Sequence, residues 1–343
     1  MPKATVIVLT DLGGAHLNEY FKALSATEEV EAVIVADPSG GSEAAAKRTL
    51  GAKLKSFERD HAKALAAHQA TLALVTMEAV NAPPVIHAAL DANCHVLTEK
   101  PSCVKAGDFE PLVRLAEMKH RNLTLAFANR LRGTVQAART LIESRKIGRI
   151  YGSELHIIAD QTRLTSPAYH TAWFADRARS GGGHLIWLGI HWLDLIMHMT
   201  GSKIIEAAGF TGIVGGQPLK IEDSAAMALR FDNGSFGTIT SGYYLDRGYH
   251  SHLKVWGSDG WLHLEPHGGE PLQWCSTKDN PALVKKYDGP PEAASYTPLV
   301  KACVRASLDL QPPPVTGAES LHVLKTVFAC YRAAETGQAQ KIS

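Results

Sequence analysis

A lysine followed by a proline, Lys100–Pro101, comes just after a short apolar run. A lysine in this position is well placed to act on a bound ligand. The run, residues 95–98, has the length of a short strand and lies in a region where strand and helix patterns alternate. In open α/β sheets, ligands bind outside the carboxyl ends of the strands. Pro101 fixes its own φ and favours an extended Lys100, which gives the ammonium a defined direction. We therefore predict that Lys100 faces a ligand crevice; the alternative is a surface lysine after an edge strand.

Three histidines spaced seven residues apart, His184, His191 and His198, begin directly after the glycines 181–183. On a helix this spacing separates neighbours by two turns, about 10 Å along the axis. Imidazoles that far apart cannot share one ion. The sequence therefore predicts no metal site on this helix.

The elements that must position Lys100 are buried strands alternating with helices. Continuous apolar runs such as residues 4–10 are typical of strands covered on both faces. The βαβ succession predicts a doubly wound parallel sheet, an α/β fold. Predicted strands are 4–10, 33–36, 72–75, 95–98 and 123–128; predicted helices are 15–26, 43–53, 83–93 and 105–119.

After about residue 150 the pattern changes to strands joined by tight turns, which indicates an antiparallel sheet. Its predicted strands are 203–212, 224–231, 235–244, 249–256 and 260–265, followed by a surface loop at 266–291 and helices at 295–309 and 316–336. A chain of 343 residues is too long for one ordinary core. We expect a first domain at 1–125 and an α+β domain at 126–343, whose C-terminal helix packs back on the first.

Composition narrows the partners and the location. A net charge of +1 leaves no basic stripe, so we expect neither a nucleic-acid nor a membrane partner. The five cysteines are odd in number and widely spaced, as in reduced cytosolic proteins. The N-terminus passes directly into a strand pattern without a signal peptide. These observations favour a cytoplasmic location.

Four segments together resemble the Gfo/Idh/MocA family of NAD(P)-dependent oxidoreductases, which includes glucose-fructose oxidoreductase and inositol dehydrogenase. They are Glu99-Lys100-Pro101, the turn 76–83, the glycine-led helix 181–194 and Ile221-Glu222-Asp223. The resemblance implies an N-terminal Rossmann domain and a C-terminal α+β domain with a large, mainly antiparallel open sheet. In the family that sheet commonly mediates oligomer formation, so we expect a homodimer or homotetramer.

The resemblance also implies hydride transfer between a nicotinamide cofactor and a sugar, polyol or related hydroxy compound. Lys100 then matches the catalytic acid/base, and Glu99 contacts the cofactor or orients the lysine. His191 matches the histidine that hydrogen-bonds the reacting hydroxyl. Trp187 stands where the family has an assisting aspartate, so a lysine–histidine pair remains. The alternative for His191 is a core histidine satisfied by Asp194.

The cofactor loop keeps only Gly13 of the three glycines that bring backbone amides and a helix dipole to a pyrophosphate. Asp37 ends the second strand, where a carboxylate binds the ribose hydroxyls and repels a 2′-phosphate. This favours NAD over NADP; the alternative is an ordinary Asp-Pro turn. The predicted cofactor-binding residues are Thr10, Leu12, Gly13, His16, Asp37, Thr76, Glu78, Asn81, Glu99 and Lys100.

Polar aromatic and histidine side chains suit a polyhydroxylated ligand with apolar ring faces. The predicted substrate-binding residues are Asn129, Arg163, Tyr169, Trp173, Trp187, His191 and Tyr249. Each has an equal alternative as an ordinary surface or interface side chain.

Three functions remain open. The first is an NAD-dependent dehydrogenase, and the second is a glycoside-cleaving relative that retains NAD through oxidation and re-reduction. The third is a non-catalytic regulatory protein that senses a dinucleotide. Lys100 and His191 favour the first two, whereas the glycine-poor loop and Trp187 keep the third open.

Overall fold

The computed structural model describes residues 2–12, 14–245, 247–266, 268–280, 282–290 and 296–343, without the side chains of 162, 163 and 245. The chain divides into two compact units. The first comprises Met1–Ala128, Ala178–Gly181 and Ala293–Leu321; the second comprises Asn129–Arg177, Gly182–Glu292 and His322–Ser343. The predicted domain boundary at 125/126 stays a prediction.

The first unit is built on six parallel strands in the order β3-β2-β1-β4-β5-β6. The strands are β1 (Ala4–Thr10), β2 (Val30–Ala36), β3 (Leu54–Glu58), β4 (Leu72–Thr76), β5 (His95–Thr98) and β6 (Leu123–Leu125). The helices between them are α1 (Leu17–Ala26), α2 (Glu43–Leu50), α3 (His61–Ala67), α4 (Ala82–Asp91) and α5 (Ala106–Met118). This strand order places the topological switch point, where dinucleotides bind in such sheets, between β1 and β4.

The predicted parallel sheet is confirmed. Residues of β1 and β4 are almost all buried because helices cover both faces, which accounts for their apolar runs. Around this sheet, β3 and α3 escape the sequence patterns. β3 is a half-buried edge strand with mostly polar side chains, and α3 is a short, alanine-rich helix in which Ala64 is buried. The strand predicted at 123–128 ends at Leu125, and a 3₁₀ turn follows at Ala128–Leu131.

The second unit holds a nine-stranded sheet. Its first strand is β7 (Ile150–Asp160), and the next four are β8 (Ile204–Gly212), β9 (Ser224–Phe231), β10 (Phe236–Leu245) and β11 (Tyr249–Gly257). The remaining strands are β12 (Gly260–Leu264), β13 (Leu272–Ser276), β14 (Lys285–Lys286) and β15 (Gln340–Lys341). The order is β14-β13-β12-β11-β7-β10-β9-β8-β15, antiparallel except between β7 and β10. A mainly antiparallel open sheet is therefore confirmed.

Helices complete the chain: α6 (Gly133–Glu143), α7 (Pro167–Thr171), α8 (Arg177–Ser180), α9 (Ile190–Thr200), α10 (Thr297–Ser307) and α11 (Gly317–Thr336). The surface loop predicted at 266–291 is wrong for β13, which pairs with β12 through five residues. Glycines and prolines on both sides of β13 dominate the composition of this segment, so the sequence pattern does not indicate the short strand. Among the described residues, no helix combines the length and apolar character that crossing a bilayer requires.

Candidate active site

Lys100 lies at the carboxyl end of β5 and is 2% exposed, so it is not a surface lysine. The Lys100–Pro101 peptide bond is cis. The backbone N–H of Lys100 donates to Glu99 Oε1 at 3.0 Å. The backbone N–H of Glu99 donates to Val75 O of β4 at 2.8 Å, which ties this turn to the neighbouring strand. Lys100 is thus held at the carboxyl ends of the strands, which is where the sequence predicts a ligand.

Glu99 is the centre of a buried polar cluster. Its Oε2 accepts a hydrogen bond from Tyr20 OH at 2.5 Å and lies 3.2 Å from His16 Nδ1. Tyr296 packs its ring against both partners, with centroids 4.9 Å from Tyr20 and 5.1 Å from His16. Burial alone would raise the pKa of Glu99, but these bonds and the charge of Lys100 hold the pKa below its usual value. Glu99 is therefore an anion beside the lysine ammonium.

A cavity of about 380 Å³ opens beside the carboxyl ends of β1 and β2 in the first unit. The predicted residues Leu12, His16 and Asp37 line it. The predicted cofactor-binding residues do not include the remaining lining residues; for those that follow Asp37, the short polar and glycine types were the available signal. The remaining lining residues are Asp11, Gly14, Leu17, Asn18, Glu19, Ser39, Gly41, Ser42 and Ala45.

Asp37 is buried, and both of its carboxylate oxygens accept hydrogen bonds from the loop that follows. Oδ1 accepts from the N–H and hydroxyl of Ser39 at 2.9 and 2.6 Å. Oδ2 accepts from the N–H and hydroxyl of Ser42 at 2.9 and 2.7 Å. Burial would raise the pKa of Asp37, yet these donors lower it, so the group is an anion. The carboxylate thus orders the loop that forms one wall of the cavity.

The loop after β1 is packed tightly. A Cβ on Gly14 would lie 2.3 Å from Thr10 Oγ1 and 2.8 Å from Thr76 O, so only glycine fits. Thr10 and Thr76 are fully buried beneath the loop, and Thr76 Oγ1 donates to Ala15 O at 2.7 Å. Their role is structural support in this arrangement. Gly13 lies outside the described residues.

Glu78 and Asn81 follow β4 at the same edge of the sheet. Arg179 Nε donates to Glu78 Oε2 at 2.9 Å, and Arg179 Nη2 donates to Glu78 Oε1. Asn81 is exposed and directly precedes α4. Glu78 is therefore already engaged by a bidentate ion pair, and Asn81 is the more accessible of the two.

His191 is half-buried near the start of α9 in the second unit. Asp194, one turn later, forms a buried bidentate pair with Arg130: Arg130 Nε lies 3.0 Å and Nη2 2.6 Å from Asp194 Oδ1. Arg130 belongs to the 3₁₀ turn that also contains the half-buried Asn129. Asp194 is thus bound to a guanidinium, and the alternative that it also serves as the partner of His191 stays open.

Three of the predicted aromatic residues, Tyr169, Trp173 and Trp187, come together in the second unit. Trp187 lies with its ring centroid 5.5 Å from both Trp173 and Phe174, and Tyr169 lies 4.8 Å from Phe174. Phe174 was missed because an apolar ring carries no polar signal. Tyr249 and Tyr243 pair with the same residue, Ala159, from opposite sides. The side chain of Arg163 lies outside the described residues.

His184 and His198 have surroundings of their own. His184 Nδ1 lies 2.6 Å from Ser241 Oγ, and its ring meets Tyr243 edge-on at 4.3 Å. His198 Nδ1 lies 3.1 Å from Arg139 Nη1. Within the described part of the chain, no cluster of three or more ligating side chains has the geometry of a metal site.

Comparison with known proteins agrees with a two-part oxidoreductase. Residues 8–127 match the model of an oxidoreductase family with an NAD-binding Rossmann fold, and residues 135–263 match the GFO/IDH/MocA C-terminal domain. The chain therefore belongs to the Gfo/Idh/MocA oxidoreductase family, and its first unit carries the NAD-binding Rossmann fold.

A D-glucoside 3-dehydrogenase of Escherichia coli is 27% identical over 173 residues, covering 46% of this chain and 48% of that protein. The chain spans less than half the length of the first curated relatives it matches. An oxidoreductase domain protein from Kribbella flavida has the same fold, with a TM-score of 0.89, 20% identity and full coverage of both chains. A levoglucosan dehydrogenase solved with NADH and levoglucosan matches with a TM-score of 0.86 and 16% identity, over 99% of each chain.

Proposed function

We propose that the protein is an NAD-dependent dehydrogenase that acts on a CH–OH group of a sugar, polyol or related hydroxy compound. The observation that carries this proposal is that Lys100 is buried beside the anionic Glu99 at the carboxyl end of β5, on the side of a Rossmann sheet where ligands bind. Removing a lysine ammonium from water costs free energy, because the charge loses its hydration. A buried lysine is therefore expected where a countercharge compensates for this cost and where the amine has a function. Perturbed, buried charges at a strand edge are typical of catalytic sites.

The cavity fits NAD better than NADP. Its glycine-lined wall at Gly14 admits close backbone approach, and Asp37 lies about twenty residues farther on, as in dinucleotide-binding sheets. The described lining residues include the carboxylates Asp11, Glu19 and Asp37 and no lysine or arginine. A 2′-phosphate would therefore meet negative charge. Asp37 and His16 would hold the adenosine half, with Thr10 and Thr76 supporting the loop.

Bound NAD would accept the hydride, and residues of this chain would transfer the hydroxyl proton. Oxidation of a secondary alcohol requires loss of the hydroxyl proton as the hydride departs. We assign this proton to Nζ of Lys100, which accepts it as the neutral amine during oxidation and donates it from the ammonium in the reductive direction. Glu99 fixes the backbone of the lysine through its N–H and keeps a countercharge beside it. We assign His191 to a hydrogen bond with the same hydroxyl.

The aromatic cluster Tyr169–Trp173–Phe174–Trp187 supports a sugar-like substrate. Tryptophan and tyrosine rings offer apolar faces for the C–H side of a sugar ring and polar edges for its hydroxyls. A D-glucoside 3-dehydrogenase among the relatives agrees with this substrate class. Trp187 takes the place of an acid, so it contributes to binding and cannot exchange a proton.

The experiment that tests the function is a screen of sugars and polyols with NAD⁺ or NADP⁺, followed by absorbance at 340 nm. Lys100→Ala should lower kcat by about 10²- to 10⁴-fold and leave the Kd for NADH within a few-fold. Lys105→Ala, an exposed lysine nearby, is the matched control and should keep full turnover. Retained turnover in Lys100→Ala would remove the mechanism.

Two other outcomes identify the remaining alternatives. Cleavage of a glycoside without net absorbance at 340 nm would favour the NAD-retaining hydrolase or lyase. Failure of both wild-type and Lys100→Ala protein to bind NADH would remove both enzymatic functions. NADH binding without turnover of any screened compound would favour the regulatory protein that senses a dinucleotide.

We further propose that copies of the chain assemble through the open face of the nine-stranded sheet as a homodimer or homotetramer. Phe210 of β8 and Phe236 of β10 are 79% and 57% exposed, which is unusual for strand phenylalanines. A cytoplasmic location stays a prediction; it is supported by the five cysteines, which are all described and form no disulfide.

A further inference from the structure

Glu222, which precedes β9, holds the backbone that leads into α9. Its Oε2 accepts the N–H of Gly183 at 2.6 Å, and its Oε1 accepts the N–H of Leu185 at 3.0 Å. Its own carbonyl accepts the N–H of His184 at 3.1 Å. Three consecutive N–H groups at the start of the helical segment are therefore satisfied by one glutamate, where a helix otherwise leaves them without acceptors.

Tyr331 of α11 contacts both Glu222 and the same backbone segment. Its hydroxyl donates to Glu222 Oε1 at 2.7 Å and accepts the N–H of Ile186 at 3.1 Å. The carboxylate and the phenol together hold four successive backbone N–H groups, those of residues 183–186. A carboxylate at a helix N-terminus also interacts favourably with the helix dipole.

The triple glycine has a structural reason in this contact. A Cβ on Gly182 would lie 2.2 Å from Tyr331 OH, and one on Gly183 would lie 2.0 Å from Glu222 O. Gly182 and Gly183 therefore leave the room that Tyr331 and Glu222 occupy.

The held segment leads directly to His191. Residues Leu185–Gly189 form a π-helical turn, and α9 begins at Ile190, one residue before the histidine. Single π-helical turns occur mostly at functional positions because they rotate the residues that follow. Whatever fixes residues 183–186 therefore sets the rotation and axial position of the imidazole. Burial raises the pKa of Glu222, and the bonds from Tyr331, Leu185 and Gly183 partly oppose this rise.

We propose that Glu222 and Tyr331 are positioning residues for His191, acting through the backbone of residues 183–186. The proposal rests on the dehydrogenase function proposed above and adds to it two side chains that do not touch substrate. Removing either group frees N–H groups at the start of the segment and lets the helix rotate or shift. A misplacement of about 1 Å can cost about 10²-fold in rate.

Four variants test this: Glu222→Ala, Glu222→Gln, Tyr331→Phe and, as a control, Asp223→Asn. Asp223 is also buried and accepts two backbone N–H groups, of Val214 at 2.9 Å and Gly215 at 2.8 Å, but it holds a different turn. NADH binding, carried by the first unit, counts the folded molecules in each preparation. Rates per NADH-binding molecule are then compared.

We expect kcat to fall about 10- to 100-fold in Glu222→Ala, with Kd and KM for NADH unchanged. Glu222→Gln keeps one acceptor oxygen and should recover part of the rate, and Tyr331→Phe should lie between Gln and wild type. Asp223→Asn should keep a kcat within about two-fold of wild type. Equal rates per folded molecule in Glu222→Ala and Asp223→Asn would overturn the proposal.

A second readout separates this proposal from the function on which it rests. If wild-type protein turns over no hydroxy compound, the dehydrogenase proposal fails, and the ring ¹³C–H resonance of His191 still reports its surroundings. That resonance, assigned by its loss in His191→Asn, should shift in Glu222→Gln and stay in place in Asp223→Asn. An unmoved resonance in Glu222→Gln would overturn the positioning role by itself.

Discussion

At the scale of single residues, we propose that Asp37 decides the choice between NAD and NADP. Replacing Asp37 with Asn removes the negative charge that lines the cavity while keeping the side-chain size. Because hydrogen bonds to charged groups contribute about 1.5–3 kcal/mol, NADH affinity should fall about 10-fold or more. NADPH affinity should fall less or rise, since the repulsion of a 2′-phosphate is gone.

Fluorescence titration with NADH and NADPH measures this change. Glu43→Gln is the matched control: it removes a nearby carboxylate that pairs with Lys47 and Arg59 at the surface, and it should leave both affinities unchanged. An unaltered ratio of the two affinities in Asp37→Asn would show that Asp37 serves only the turn of Ser39 and Ser42.

Glu99 makes a pH-dependent contribution to stability. Its pKa is lowered in the folded protein from an ordinary value of 4.5, so the folded state binds fewer protons than the unfolded chain. The stabilisation is therefore present above pH 4.5 and is lost as the pH falls through the lowered pKa. Urea unfolding of wild type should show a free energy that declines below pH 4.5, and Glu99→Gln should show a shallower decline. Parallel curves would contradict the ion-paired state of Glu99.

Several site residues could be anticipated individually and others could not. The strand that positions Lys100 could be predicted, because an apolar run followed by proline is a local signal; that Lys100 faces a ligand stays a prediction. The hydrogen bonds from Ser39 and Ser42 to Asp37 are also local in sequence. Serine and glycine are so common in turns, however, that their presence after Asp37 does not by itself predict these bonds. Phe174 and Tyr331 reach their partners only through tertiary packing, which no residue spacing encodes.

At the scale of elements, the glycine-led segment before α9 should be intolerant of any side chain at Gly183. Gly183→Ala places a Cβ 2.0 Å from the backbone oxygen of Glu222, which cannot rotate away. We expect a loss of about 3 kcal/mol in the free energy of unfolding, at the upper end of overpacking effects. Gly212→Ala, whose Cβ would meet nothing closer than 3.9 Å, should cost far less. Equal losses in chemical denaturation would contradict the close contact.

Element prediction succeeded where periodicity is strong. The strands β1, β4 and β5 are mainly apolar and buried, and the sequence predicts their bounds to within one residue. β7, the strand that joins the parallel and antiparallel parts of the large sheet, was missed. Its first half alternates polar and buried residues after a basic, glycine-containing segment, and its parallel pairing with β10 depends on residues more than eighty positions away.

At the scale of the whole molecule, the exposed phenylalanines of the large sheet predict self-association. Phe236→Glu places a charge on the same face of the sheet as Phe210, where a partner copy would have to bury it at high cost. Light scattering after size exclusion should show an oligomer for wild type and a monomer, or a much weaker oligomer, for the variant. Met118→Glu, on an exposed residue of α5, is the control and should not dissociate the oligomer. A monomeric wild type would contradict this use of the sheet.

The central claim is that the buried amine of Lys100 serves a hydroxyl beside a bound nicotinamide. A crystal structure with NADH and a sugar found active in the screen tests it most directly. The account predicts the adenosine ribose at Asp37 and Lys100 Nζ about 3 Å from the reacting hydroxyl. A sugar hydroxyl bound by other side chains, with Nζ directed away from the nicotinamide, would contradict it.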